Sequence, residues 1–181
     1  MIIDSSAILA IIGKEPGYER IVHELAASPG TRIGAPTRLE SGIVLTARFG
    51  PRGKTALARF LQENSIQTVA FDDAHASVAL DAYSRFGKGR HPAALNFGDC
   101  CAYAVASVAG EPLLCLGDDF AKTDLALVSP LSAGMLRCCR PVRSGQQRQR
   151  LVVHCVRLPG RARLGRRAPR RWPCRSRVLR P

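Results

Sequence analysis

The sequence predicts an α/β fold in which helices cover both faces of a central parallel sheet. Short apolar segments typical of buried strands occur at residues 1–4, 32–35, 66–71 and 113–116. Segments with helical spacing of apolar residues separate these strands along the chain. Neighbouring parallel strands require crossover connections of this kind, and helices supply them most often. The alternation of the two patterns therefore indicates a doubly covered parallel sheet.

The first predicted strand ends in an acidic residue, Asp4. Ser5 or Ser6 is expected to cap the helix that follows over residues 7–12, because a serine hydroxyl can accept a hydrogen bond from a free backbone N–H group. A second helix is predicted over residues 18–27, where apolar residues recur at helical spacing.

Thr37 is followed three residues later by Glu40, which is the capping-box pattern of a helix start. This third helix is predicted to extend to Phe49. Asp72 or Asp73 is expected to cap a later helix. The remaining predictions are helices over residues 54–62, 73–86 and 96–108 and a last short strand over 125–128.

Charge divides the chain into two regions near residue 130. Residues 1–130 contain 12 Lys and Arg and all 14 Asp and Glu, which gives a net charge of −2. Residues 131–181 contain 15 Arg, no Lys and no acid, which gives +15. The high overall pI therefore says nothing about the first region. We predict a folded domain over residues 1–130 and a basic tail over residues 131–181.

Composition and spacing exclude several classes of protein. The sequence has no apolar run long enough to span a membrane, and the N-terminus lacks the pattern of a signal peptide, so a cytoplasmic location is expected. The seven cysteines form no C-x₂-C pair, and buried free thiols are expected rather than a zinc site. Cys100–Cys101 and Cys138–Cys139 are adjacent pairs, which rarely ligate one ion.

Several acidic residues are predicted at the same edge of the sheet. Asp4, Asp118 and Asp119 follow strands, and Glu40 and Asp99 lie in the first turns of helices. Ligands in open α/β sheets bind beyond the carboxyl ends of the strands. Carboxylates gathered there repel one another and require a cation or protonation, and hard divalent cations prefer oxygen ligands. Spacing alone does not distinguish this role from an ordinary one, because each of these acids could also cap a helix or lie in a turn.

Four segments together resemble the PIN-domain ribonucleases, in particular the VapC toxins of toxin–antitoxin pairs. The segments are MIIDSSAILAII, PTRLES, RFGKGRHPAALNFGDC and LLCLGDDFAKTDL, and the resemblance covers residues 1 to about 130. It implies a Rossmann-like three-layer α/β/α fold and Mg²⁺-dependent cleavage of RNA, with Mn²⁺ as an alternative ion. Homodimers and a cognate antitoxin protein are further implications.

The resemblance also implies roles for individual residues. Asp4 and Asp99 would bind the metal, and Glu40 and Asp119 would complete the catalytic set. Asp119 is chosen because it directly precedes an aromatic residue, and Asp118 is the alternative. Ser6 would support the first acid, with Ser5 as the alternative.

A basic loop precedes the helix that carries Asp99. Its residues Lys88, Arg90 and His91 are candidates for binding RNA phosphates. The alternative is that they only form a solvated basic turn, and the sequence favours neither. His23 and His75 are interpreted as residues on helix surfaces without a functional role.

The basic tail departs from the resemblance, because chains of this kind end soon after the segment KTDLALV. The tail cannot bury enough apolar surface to offset its ordering entropy, so we expect it to be disordered. An Arg-rich stretch without Lys or acids is what a GC-rich gene read in a shifted frame would encode. The hypothesis of a frame shift near codon 130 predicts a stop or another gene in a neighbouring frame.

The leading interpretation is a toxin that cleaves a structured RNA, such as transfer or ribosomal RNA, and so inhibits translation. The alternative is a catalytically compromised module of the same fold that binds antitoxin or RNA without cleaving it. A phosphohydrolase that forms an aspartyl intermediate is disfavoured, because position 6 is Ser where a second Asp is usual.

Overall fold

A computed structural model describes residues 1–128 of the 181-residue chain. The predicted basic tail and the proposed frame shift lie outside the described residues. Four strands and six α-helices form this part of the chain, followed by a short 3₁₀ turn at Phe120–Lys122. The strands are β1 (Ile2–Ile3), β2 (Arg32–Gly34), β3 (Gln67–Val69) and β4 (Leu113–Leu114). The helices are α1 (Ser5–Gly13), α2 (Tyr18–Ala27), α3 (Ala35–Phe49), α4 (Pro51–Glu63), α5 (Asp73–Phe86) and α6 (Phe97–Ala109).

All four strands are parallel, in the order β3-β2-β1-β4. The chain builds outward from β1 to β2 and β3, and then returns to place β4 on the other side of β1. The direction of winding therefore reverses between β1 and β4. Crevices that bind ligands open at such reversals, beyond the carboxyl ends of the strands.

Two apolar cores flank the sheet, which confirms the predicted three layers. Alternate strand residues point to opposite faces. Ile2 and Leu113 belong to one core, together with residues of α5 and α6. Ile3 and Leu114 belong to the other core, together with residues of α1, α2, α3 and α4. The first strand is therefore buried on both faces, as its continuous apolar sequence indicates.

The start of α3 corrects one prediction. The helix begins at Ala35 after Gly34, with Pro36 in its first turn, and no side chain caps it. Proline is favoured there because its missing N–H group has no partner in the first turn. Thr37 therefore lies inside the helix, where it is buried, and the predicted capping box with Glu40 is wrong.

Two further predictions were partly wrong. The segment at residues 125–128 forms an isolated parallel bridge between Leu127 and Leu113 rather than a full strand. His75 is buried rather than exposed, with its ring 5.4 Å from that of Phe71, and it forms a capping box with Asp72 at the start of α5. None of the helices in the described part of the chain is long and apolar enough to cross a membrane.

Candidate active site

Asp4 lies at the centre of the candidate site, in the crevice between β1 and β4. It directly follows β1 and is the N-cap of α1. Its backbone N–H group donates to the carbonyl oxygen of Leu114 at 2.9 Å, which fixes the residue beside the end of β4. Only 2% of Asp4 is exposed, so this carboxyl group is largely removed from solvent.

Ser6 supports Asp4 with two hydrogen bonds. The Oδ2 atom of Asp4 accepts from the backbone N–H of Ser6 at 2.9 Å and from its hydroxyl at 2.6 Å. The Ser6 hydroxyl oxygen also accepts from the backbone N–H of Leu116 at 3.0 Å. Ser6 therefore connects the carboxylate to the segment that follows β4 across the crevice.

Ser5 contacts a different acid from the one that Ser6 supports. Burial raises the pKa of Glu40 above its ordinary value, and a hydrogen bond from the Ser5 side chain opposes part of that increase. Repulsion from Asp4 and Asp99 raises the pKa further. The two adjacent serines thus support two different members of the acidic set.

Asp99 enters the site from the first turn of α6. Its Oδ2 atom accepts from the backbone N–H of Asn96 at 2.8 Å, and its own N–H donates to the side-chain oxygen of Asn96 at 3.0 Å. Burial raises the pKa of Asp99, and repulsion from Asp4 and Asp119 adds to this increase. The capping role and the place in the acidic set therefore coexist in one residue.

The electrostatic couplings connect all four predicted carboxylates. The negative charge of Asp4 raises the pKa of Glu40 and of Asp99, and the charge of Asp119 also raises the pKa of Asp99. Asp118 is exposed, and its charge acts on the thiol of Cys115. Burial and then the charge of Asp4 raise the pKa of Cys115 to about 12, so this thiol stays protonated.

Two buried carboxylate oxygens in the site have no hydrogen-bond partner. These atoms are Asp4 Oδ1 and Glu40 Oε2. Leaving a buried acceptor unsatisfied is costly, and more so for a charged group. A hard cation such as Mg²⁺ prefers oxygen ligands and usually binds through one or two carboxylates while keeping several waters. The donor set therefore fits Mg²⁺ or Mn²⁺.

The acids do not form a closed ion cage. Within residues 1–128, no three His, Cys, Asp or Glu side chains converge closely enough to hold a metal ion by themselves. An ion bound by one or two of these carboxylates would complete its coordination shell with water or with substrate oxygen atoms.

Two functional candidates were not identified from the sequence. A Cβ atom at Gly98 would lie 2.5 Å from Glu40 Oε1 and 2.6 Å from Oε2, so the Glu40 carboxylate rests on the bare α-carbon. Lys122 Nζ lies 4.0 Å from Asp119 Oδ1 and donates to the carbonyl oxygen of Pro92 at 3.3 Å. A glycine in the first turn of a helix and the Asp-x-x-Lys spacing were the available signals.

The basic loop borders this site through that contact between Lys122 and Pro92. Lys88 is exposed, and the guanidinium of Arg90 lies 5.6 Å from the centre of the Tyr83 ring. His91 has a structural role, because its Nδ1 accepts from the backbone N–H of Ala93 at 3.1 Å. The loop's role in binding RNA stays a prediction.

The fold and the acidic crevice are those of a PIN-domain protein. A family model described as the PIN domain matches residues 1–125. The chain therefore belongs to the PIN-domain family, as its sequence motifs indicate.

Curated relatives of the chain are VapC ribonucleases. It is 44% identical to ribonuclease VapC36 of Mycobacterium tuberculosis over 126 residues, which are 69% of this chain and 91% of the relative. It is 44% identical to ribonuclease VapC of Mycolicibacterium smegmatis over 128 residues, which are 71% of this chain and 99% of the relative.

Solved structures share the fold at low sequence identity. VapC20 of M. tuberculosis, described as a toxin that cleaves the sarcin–ricin loop, matches with a TM-score of 0.60 and 17% identity. The match covers 71% of this chain and 98% of that one. VapBC2 of Rickettsia felis, bound to a promoter DNA fragment, matches with a TM-score of 0.56 and 14% identity over 70% and 96%.

Proposed function

We propose that this protein is a Mg²⁺-dependent endoribonuclease that acts as the toxin of a toxin–antitoxin pair. One observation carries the proposal: two partnerless buried oxygens, on Asp4 and Glu40, lie in the crevice where the winding of the sheet reverses. Its further support is the 44% identity to curated VapC ribonucleases.

The four acids divide two tasks in the proposed reaction. Asp4 and Asp99 would hold the ion, and Glu40 and Asp119 would orient water and complete the negative field. Bound there, Mg²⁺ would supply polarisation of a phosphate oxygen and activation of a water for in-line attack. Ser6 keeps Asp4 in place through its two hydrogen bonds.

The raised pKa values of Glu40 and Asp99 fit a site that requires a cation. Burial and mutual repulsion disfavour the ionised carboxylates, and a nearby positive charge relieves that repulsion. Lys122, beside Asp119, is positioned to contact a substrate phosphate at the edge of the site.

Metal-dependent cleavage of RNA tests the proposal. The full chain and its Asp4→Asn and Asp99→Asn variants would be incubated with total bacterial RNA, with Mg²⁺, Mn²⁺ or EDTA, and the products mapped at their ends. We expect discrete cuts that require metal and fall at least about a hundredfold in both variants. Asp81→Asn, an exposed acid on α5, is the matched control and should cleave normally.

A folded chain that cuts no RNA with either ion would contradict the proposal. That result would favour the alternative of a module that binds antitoxin or RNA without cleaving. Cuts that persist in EDTA or in Asp4→Asn would indicate a contaminating nuclease instead of this site.

The proposal includes a protein antitoxin, self-association as a homodimer and a structured RNA target. Its support is the family and the solved structures of similar fold, one of which is described as a toxin–antitoxin complex from Klebsiella pneumoniae. We expect expression of the chain to stop growth and translation in a bacterial host. Co-expression of the neighbouring small gene should restore both, and sedimentation should give twice the chain mass.

A further inference from the structure

Phe97 is the most exposed large apolar side chain in residues 1–128. Its exposed fraction is 82%, and it lies at the first position of α6. None of the aromatic-ring contacts found in this part of the chain includes it. A phenyl ring left in water forgoes the free energy that burial would provide, and its surface is available to a partner.

The surroundings of Phe97 differ from those of the other exposed apolar residues. Leu39 and Ile43 line a common apolar groove between α3 and α4. Phe97 instead stands between the polar Asn96 and Gly98, with Asp99 next along the chain. Protein interfaces favour contiguous apolar patches, and the residues next to Phe97 in the sequence do not extend its ring into such a patch.

The ring is tied by sequence to two members of the acidic set. The next residue, Gly98, packs against the Glu40 carboxylate, and Asp99 follows it in the sequence. A phosphodiester bound beside Asp99 would therefore lie near the start of α6, where Phe97 is exposed.

Electrostatics supply a reason for an aromatic residue at this place. The carboxylates repel the phosphates of RNA wherever no cation offsets their charge, so a contact that does not depend on charge would add to binding. Stacking of a base on an aromatic ring is such a contact, and it is available only for unpaired bases.

We propose that Phe97 stacks on an unpaired nucleobase next to the scissile phosphate and thereby helps to position the RNA. This inference rests on the proposed ribonuclease function. It predicts that cleavage occurs in loops or bulges, where a base can leave its stack.

Binding of two oligonucleotides tests the inference without cleavage. The probes are a labelled single-stranded RNA of about 12 nucleotides, within the range of stacking sites, and the same chain with abasic riboses. The full protein would be titrated with Ca²⁺ in place of Mg²⁺, at a salt concentration that suppresses binding by the Arg-rich tail, and the probe would be recovered intact to show that no cleavage occurred. Because no cut is needed, a failure of the proposed nuclease activity would not affect this measurement.

We expect Phe97→Ala to weaken binding of the base-containing RNA about tenfold and to leave binding of the abasic chain unchanged. Phe97→Tyr and Phe97→Trp should bind like the parent chain, and Phe97→Leu should bind like Phe97→Ala. Leu80→Ala, which removes another exposed apolar side chain on α5, is the control and should have no effect.

Three results would overturn the inference. Unchanged binding by Phe97→Ala would exclude a stacking role. An equal loss on both probes would show a general effect on the surface. A change in the sedimentation mass of Phe97→Ala would assign the ring to contact between copies of the chain.

Discussion

Helices α5 and α6 both begin with a capping box, in which the N-cap residue and the third helical residue exchange hydrogen bonds. In α5 the pair is Asp72 and His75, and the side chain of Asp72 accepts from the His75 N–H at 3.2 Å. In α6 the pair is Asn96 and Asp99, with bonds of 3.0 and 2.8 Å. The local geometry of the two helix starts is therefore nearly the same.

The acids in the two boxes respond in opposite directions. The hydrogen bond with the His75 side chain lowers the pKa of Asp72, which is exposed. Burial raises the pKa of Asp99, and repulsion from Asp4 and Asp119 adds to it. A capping role thus does not determine the direction in which the pKa of an acid shifts, because burial and the neighbouring charged groups decide it.

The positions between the capping residues also differ. The first position is Asp73 in α5, an acid that suits the positive end of the helix dipole, and Phe97 in α6. The second position is Ala74 in α5 and Gly98 in α6. At both positions α6 carries a residue that a helix start does not favour. We infer that these two residues are present for the candidate active site rather than for the stability of the helix.

The largest expected effect comes from making the second positions alike. Gly98→Ala places a methyl group within 2.5 Å of the Glu40 carboxylate, which must move. Misplacement of a catalytic group by about 1 Å can cost on the order of a hundredfold in rate. We expect metal-dependent cleavage of RNA to fall by about that factor, with the melting temperature little changed.

The reverse exchange is the matched control. Ala74→Gly should cost about 0.5–1 kcal/mol of unfolding free energy and leave cleavage unaffected.

Combining Gly98→Ala with Glu40→Asp shortens the acid and makes room for the methyl group. The added alanine should therefore cost less activity in the Glu40→Asp background than in the parent. An equal cost in both backgrounds would show that Gly98 acts independently of Glu40.

Much of the fold could be predicted from local patterns. Helix α2 has the bounds that its apolar spacing predicts, and the four strands lie within the predicted segments. The start of α3 was mispredicted because Thr37 and Glu40 match a capping box, while the chain turns helical at Ala35 after Gly34. Burial of Thr37 depends on tertiary packing, which sequence spacing does not report.

The candidate acids could be selected from the sequence, but their arrangement could not. Asp4, Asp118 and Asp119 stand out because they follow strands at a predicted sheet edge, and only the resemblance to PIN-domain ribonucleases favours Asp119 over Asp118. The contact of Glu40 with Gly98 joins α3 to α6, and no pattern in either segment encodes it. The sequence predicts His75 on the helix surface, because local spacing does not report the burial that the structure shows.

A smaller effect is expected from removing the cap of α5. Asp72→Ala deprives the His75 N–H of its acceptor and should lower the melting temperature by a few degrees at pH 7. Because the pKa of Asp72 is lowered in the fold, the ionised Asp72 stabilises the folded state fully at pH values above the ordinary Asp pKa of 3.8. This stabilisation is lost as the pH falls through the lowered value, so melting curves of parent and variant should converge in acid.

The smallest effect, with the opposite sign, is expected at the start of α6. Asp99→Asn keeps an oxygen that can accept from Asn96 and removes only the charge. Since the pKa of Asp99 is raised in the fold, the parent chain is destabilised as the pH rises above 3.8 through the raised value. In EDTA at pH 7 the variant should therefore melt slightly above the parent, and the two should converge in acid.

Adding Mg²⁺ or Mn²⁺ completes this last prediction. An ion that binds the folded site stabilises it by mass action and relieves the repulsion between the carboxylates. The parent should gain melting temperature with metal, while Asp99→Asn gains little, so metal should reverse their order at pH 7. Asp72→Ala should gain as much as the parent, because its acid lies in the other capping box. Equal gains in all three proteins would mean that the ion binds elsewhere.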